Sequence, residues 1–294
     1  MNTSHQTGLA IAEDDRTDQL PSPKPHELVI GVDVGGTGIK GGVVDLRNGS
    51  LVGERFRIDT PKPATPEAVL PVIKQIITHL QSRELAPEPD SAIGLGFPAI
   101  IKDGRTWSAA NIDPAWIGAD LTGPLTQALG RPVYAVNDAD AAGLAEAVYG
   151  RGRGRDGFLM MITLGTGIGS AIINNGQLVP NTELGHLELD GRDAETHASV
   201  RAREREGLSW KEYGRRLHRY FSHVEMLFSP DEFIIGGGVS KKPEKFMPYL
   251  EEISTPISTA HLVNNAGIVG AGVWAAGQPG ERERHDRQVA DLQL

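Results

Sequence analysis

Twice in this chain an apolar strand runs into a turn of glycine and threonine and then continues as a second apolar strand. The first copy is "LVIGVDVGGTGIKGGVVDL", beginning at Leu28, and the second is "FLMMITLGTGIGSAII", beginning at Phe158. A turn that lacks Cβ atoms leaves backbone N–H groups free to point at an anion and lets that anion come close. Either turn alone reads equally as a plain hairpin whose glycines supply positive φ. Asp33 and Lys40, however, add charges to the first that a hairpin does not need. Neither turn is a Walker A loop, nor a G-x-G-x-x-G leading into a helix. Both together, in matching contexts, predict two α/β lobes that present phosphate-binding turns to a shared cleft.

The rest of the pattern fits that scheme. "TPEAVLPVIKQIITHLQSR" puts Val69, Val72, Ile73, Ile76, Ile77 and Leu80 on one helical face. Strands are expected at "RFRID" and "PVYAV", a strand and turn in "SAIGLGFPAII", a short helix at "GADLTGPLTQALG", and another helix at "DADAAGLAEAVYG". A long helix is expected from about Trp210 to Phe228, with Trp210, Tyr213, Leu217, Tyr220, Val224 and Leu227 as its apolar stripe. We expect a first lobe over 28–138 and a second over 139–276. Residues 1–27 and 277–294 read as loose, charged tails.

With 294 residues there is material for a sizeable core, and the absence of cysteine removes every disulfide, thiolate metal site and cysteine nucleophile. A net charge of -9 disfavours a nucleic-acid partner. No apolar run approaches the roughly 18 residues of a membrane span, and the head lacks the pattern of a signal peptide, so a cytoplasmic protein without a membrane partner is expected.

Two further stretches carry chemistry. Asn137-Asp138 follows the strand "PVYAV" and opens a helix. Asp138 is there either an N-cap or a carboxylate at a strand end, where open α/β sheets bind ligands. In the second role it could accept a proton from a hydroxyl that attacks phosphorus. Glu183-Leu184-Gly185-His186, with Glu195 beyond it, is either a surface loop or a set of hydrogen-bonding groups suited to a polyol. A di-iron reading would need a second E-x-x-H, which the chain lacks.

"DVGGTGIK", "GFPAII", "AANI", "VNDADAAGLAE", "LGTGIGSAI", "ELGH" and "GGGVS", in this order, resemble the ROK family of sugar kinases, from the actin/hexokinase superfamily. The resemblance runs from about Leu28 to Ala276 and implies a two-lobed, ribonuclease H-like α/β fold with an interlobe cleft. It implies phosphate contacts at Gly35, Gly36, Thr37 and Lys40, and at Gly165, Thr166 and Gly167. Asp33 resembles the acid that positions Mg²⁺ or its waters, and Asp138 the catalytic base. Asn111, Asn137, Glu183, His186 and Glu195 would lie on the sugar, and Gly236, Gly237 and Gly238 beside the nucleoside.

Most members of the family follow the G-H with zinc-binding cysteines, whereas this chain has "HLELDGRDAETHAS" and so no structural zinc is expected. That form resembles the actinobacterial branch whose phosphoryl donor is inorganic polyphosphate as well as ATP, with glucose, and in some members mannose, as the acceptor. A homodimer is implied by the family. A long polyanion needs a cationic track, and Arg201, Arg203, Arg205, Arg215, Arg216, Arg219, Lys241 and Lys242 are its candidates. The competing account is that these arginines only solvate the outer face of the long helix. Sugar-responsive regulators of the family carry a helix-turn-helix ahead of the kinase-like part, which 27 polar, proline-bearing residues are not expected to form.

Overall fold

The computed structural model describes residues 21–281; the tail readings for residues 1–20 and 282–294 lie outside the described residues. β1 (Leu28–Val34) and β2 (Ile39–Asp45) form the first hairpin, followed by β3 (Leu51–Ile58) and α1 (Pro66–Gln81). Next come β4 (Ile93–Phe97), a small hairpin of β5 (Ile101–Lys102) and β6 (Arg105–Thr106), α2 (Thr122–Leu129), β7 (Val133–Asn137) and α3 (Asp138–Tyr149). The second unit has β8 (Phe158–Leu164), β9 (Ile168–Asn174), β10 (Gln177–Val179), and the small hairpin β11 (Glu188–Leu189) and β12 (Arg192–Asp193). α4 (Ala194–Ala198), α5 (Val200–Glu206), α6 (Trp210–Phe228), β13 (Glu232–Gly236), β14 (Ile257–Thr259) and α7 (Ala266–Ala276) complete it.

The duplication read from the two turns extends to whole sheets. One sheet has the order β3-β2-β1-β4-β7 and the other β10-β9-β8-β13-β14. In each, the first three strands pair antiparallel and the last three parallel. The first lobe's outer core joins Ile30, Val32 and Val34 to the apolar face of α1, where Val69, Ile73, Ile76, Ile77 and Leu80 are buried. The second lobe's outer core joins Met160, Ile162 and Leu164 to Tyr213, Leu217, Tyr220, Phe221 and Val224 of α6.

α3 and α7 lie between the two sheets, packed against each other, with α7 on β1 and β4 and α3 on β9. Their approach is backbone to backbone. A Cβ at Gly31 or Gly94 would collide with the Ile268 or Ala271 carbonyl, and one at Gly270 with the carbonyl of Ala141. Small residues are therefore what lets a buried helix pair sit flat on both sheets. α7, at the chain's far end, thus packs on the first sheet. The division at 138/139 remains our proposed lobe boundary.

Two differences from the expected elements have plain causes. α6 spans the expected residues and is fixed at its start by the reciprocal Ser209–Glu212 capping box. Its last turn, however, runs past the core, so Leu227 is 50% exposed and Phe221 fills the stripe instead. "VRARERE", for which no element was expected, forms a helix of its own, α5, capped by Ser199 and ended by Gly207 at φ 62°.

Candidate active site

Both glycine turns open onto one cleft of about 400 Å³, lined among others by Gly35, Gly36, Gly165, Thr166 and Gly167. The first turn is closed by Gly35 N–H donating to Gly38 O at 3.2 Å, and the second by Gly165 N–H donating to Gly167 O at 3.0 Å. Asn111, Asn137, Asp138, Glu183, His186 and Glu195 line the same cleft. A smaller chamber of about 230 Å³ adjoins it, with Asp33, Lys40 and Gly238 in its wall. Asp138, Thr163 and Gly237 line both. Thr37 and Gly236 line neither. The Thr37 carbonyl accepts from Arg57 Nη2 at 2.9 Å, and Gly236 is buried at the end of β13.

Asn137, not Asp138, caps α3. Its Oδ1 accepts from Ala139 N at 2.8 Å and Asp140 N at 3.2 Å, while its Nδ2 donates to Ala99 O at 3.3 Å. That leaves Asp138 at the first helical position, with Oδ1 accepting from Ala139 N at 2.8 Å. Removal from water pushes the Asp138 pKa up to about 7, and the neighbouring Asp33 and Glu183 carboxylates push the same way. A carboxylate held ready to take a proton near neutral pH is what a general base requires.

Asp33 sits opposite Lys40 across the first hairpin, with Nζ 3.6 Å from Oδ2. Burial raises its pKa and the Lys40 charge opposes the rise. On the polar side, Glu195 Oε2 accepts from Ile168 N at 2.9 Å, directly after the second turn. His186 Nδ1 lies 2.8 Å from Asp193 Oδ2, a hydrogen bond that raises its pKa. Burial raises the pKa of Glu183, with His186 opposing and Glu195 adding to it.

The segment that carries His186 and Glu195 is tied to α6 by arginines. Arg219 Nη2 meets Asp190 Oδ1 at 2.6 Å; Arg216 reaches Glu206 Oε2 at 2.6 Å and donates to the His197 carbonyl at 2.9 Å. Arg205 also pairs with Glu206, and Arg203 stacks on Trp210 at 4.0 Å. Half of the candidate cationic track is therefore engaged within the protein. Arg201, Arg215 and Lys242 make no side-chain hydrogen bond or ion pair among the described residues, and Lys241 bonds only the neutral Asn264.

Sequence reasoning missed Ser170, Thr182, Asp140 and Asn181, which build the wall under Glu183. Ser170 Oγ donates to Thr182 O at 2.8 Å and accepts from Leu184 N at 3.0 Å. A signal was present: α3 is Ala-rich all round, so acids inside it have to find buried partners.

A sequence model described as "ROK family" matches residues 29–202. Polyphosphate glucokinase of Mycobacterium tuberculosis is 42% identical over 256 residues, which cover 87% of this chain and 94% of that protein. The solved structure of inorganic polyphosphate/ATP-glucomannokinase from Arthrobacter sp. strain KM is 58% identical, with a TM-score of 0.81, covering 85% of this chain and 98% of that one. A ROK family glucokinase from Streptomyces griseus, solved in complex with glucose and AMPPNP, is 28% identical, with a TM-score of 0.72 and coverage of 85% and 100%.

Proposed function

The chain belongs to the ROK family and has its actin/hexokinase-like fold, and from that premise we propose that it passes the terminal phosphoryl group of polyphosphate or ATP to the 6-hydroxyl of glucose. It is a phosphotransferase acting on a sugar hydroxyl. One observation carries the finer reading: Asp138 stands in the wall shared by the two chambers, between both glycine turns and the polar Glu183–Glu195 side.

Glucose would occupy the larger chamber, with Asn111, Glu183, His186 and Glu195 accepting and donating hydrogen bonds to its hydroxyls. Asn137 supports that wall by holding Asp138 on a capped helix. Asp138 takes the proton of the 6-hydroxyl as that oxygen forms its bond to phosphorus and the donor's bridging oxygen leaves. Backbone N–H groups of the two turns, with Lys40, receive the charge that spreads over the transferring group. Closure of the lobes over the sugar would keep water from competing as acceptor.

Asp33 fits the acid expected beside a metal. Mg²⁺ is usually held by one or two carboxylates, with phosphate oxygens and water completing its shell. Asp33 and Asp138 repel each other across one chamber, and a cation would relieve that repulsion. When bound, Mg²⁺ would neutralise donor oxygens and orient the terminal phosphate. Zinc is not part of the proposal. His186 is engaged with Asp193, and the Arg219–Asp190 ion pair and the Arg216 bond to the His197 carbonyl, rather than thiolates, fasten the segment that follows it. Elemental analysis of purified protein is expected to give well under one equivalent of zinc; a stoichiometric amount would overturn that expectation.

The test is one kinetic series at fixed glucose with ATP, short polyphosphate and long polyphosphate as donors, repeated with mannose. Turnover with polyphosphate at a rate comparable to ATP is expected. Turnover with ATP alone would reduce the reading to an ATP-dependent hexose kinase. We propose a cytoplasmic homodimer as the working form; among the described residues no helix is long and apolar enough to cross a membrane.

A further inference from the structure

Asp140 lies two residues beyond the proposed base and is fully buried. Its Oδ2 accepts from the Asn181 backbone N–H at 2.6 Å. Asn181 in turn grips the small hairpin of the first lobe. Its Oδ1 accepts from Ile101 N at 2.9 Å and its Nδ2 donates to Ile101 O at 2.9 Å, as a neighbouring strand would. The residue adopts φ 61°, a left-handed conformation that asparagine tolerates. Asp140 therefore secures the point at which α3, the second lobe's 180s loop and the first lobe's β5 meet.

That loop presents Glu183 to the cleft. The residues around Glu183 are all pinned: Asn181 to Asp140, Thr182 and Leu184 to Ser170, and the Leu184 carbonyl to the Tyr220 hydroxyl at 3.3 Å. Among the described residues, the Asp140–Asn181 hydrogen bond is the one that ties this loop to the helix that carries Asp138. Building on the sugar-kinase reading above, we propose that Asp140 is a positioning residue for the sugar: through Asn181 it sets the placement of Glu183 relative to the base.

The chemistry of Asp140 agrees with a purely holding role. It lines neither chamber, and its Oδ1 is buried without a partner among the described residues. Burial raises its pKa to about 7, and the bond from Asn181 opposes the rise. An amide oxygen in the same place accepts the same N–H.

Glucose affinity without donor, by calorimetry, and KM values for glucose and ATP should be compared in the parent, Asp140→Ala, Asp140→Asn and Asn181→Gly. Asp140→Ala is expected to weaken glucose about three- to tenfold in both Kd and KM, with KM for ATP within about twofold of the parent. Asp140→Asn should restore glucose affinity to within about twofold. Asn181→Gly keeps the left-handed backbone but loses the grip on Ile101, and should reproduce the alanine effect even if Asp140→Ala fails to fold. Parental glucose affinity in both Asp140→Ala and Asn181→Gly would overturn the proposal. Equal losses for glucose and ATP, not rescued by Asp140→Asn, would overturn it too and leave Asp140 as a support of the fold. A parent protein that binds and phosphorylates no hexose would overturn the functional reading, and this inference with it; a working parent with unaffected variants overturns the inference alone.

Discussion

Replacing Asp138 by Asn is expected to lower kcat by about 10²–10⁴-fold while glucose affinity stays within a few-fold of the parent. The amide has the carboxylate's shape and keeps the bond that Oδ1 accepts from Ala139 N. Asn137 continues to cap α3, so the helix start does not depend on the exchanged group. What is lost is the capacity to take a proton. In the parent the base must be ionised, and its pKa is raised to about 7. The kcat/KM for glucose should therefore rise with pH up to about neutrality and then level off. Stability should move the other way. The folded-state pKa lies above the ordinary carboxylate value, so between about pH 4 and 7 the folded protein holds this proton more tightly than the unfolded chain does. Folding stability from this group accordingly declines as pH rises through that window. Asn never ionises and escapes the penalty, so Asp138→Asn should melt higher than the parent at pH 8 and by a smaller margin at pH 5. Near-normal turnover with either donor would refute the role of base.

The features that were legible in the sequence are those with a local signature. α6 could be bounded because its apolar residues recur at helical spacing, while the Ser209–Glu212 capping box that fixes its start went unread. Both glycine turns were legible because glycine and threonine break two apolar strands in the same way. α7, by contrast, reads "AGIVGAGVWAA" with no polar side, since the first sheet covers one face and α3 another. A helix buried all round has no periodicity to reveal which elements flank it. The site divides along the same line. Motif residues such as Asp138 and Glu195 were legible through a resemblance. Asp140 and Asn181 were not, because their partners lie 41 residues apart and, for Ile101, 80. Partner choice also hid the fate of the arginines. Nothing in "GRRLHRY" says that Arg216 turns to Glu206 and Arg219 to Asp190 while Arg215 turns to neither.

That division decides where the polyphosphate track should be sought, and it yields the second large expectation. Arg216 and Arg219 hold the segment that carries His186 and Glu195, so removing them is expected to disturb glucose binding and donor binding together. Better candidates are cations that flank the donor end and are not neutralised. The Arg201 backbone N–H donates to Gly165 O at 3.2 Å, which sets that residue at the second glycine turn. Lys241 and Lys242 follow Gly236–Gly238 after Val239 and Ser240, and Gly237 lines both chambers. ATP meets cations only near its three phosphates, whereas a long polyphosphate continues beyond the cleft and meets more of them. Each phosphate contact displaces counterions, so affinity for the long donor should fall more steeply with salt than affinity for ATP. The triple change Arg201→Glu, Lys241→Glu, Lys242→Glu should raise KM for long polyphosphate tenfold or more, about 1.4 kcal/mol or above. KM for ATP should rise much less, and KM for glucose should stay within about twofold. All three side chains are exposed, so the melting temperature should hold close to that of the parent. Arg216→Ala is the contrasting variant. It breaks the link to Glu206 and His197, and should raise KM for glucose without singling out long polyphosphate. Equal increases for ATP and polyphosphate in the triple variant would mean that these cations serve only the terminal phosphates. An unchanged KM for long polyphosphate would leave Arg215 as the remaining unpaired arginine of the track among the described residues, and would remove the physical basis for a polymeric donor at this end of the cleft.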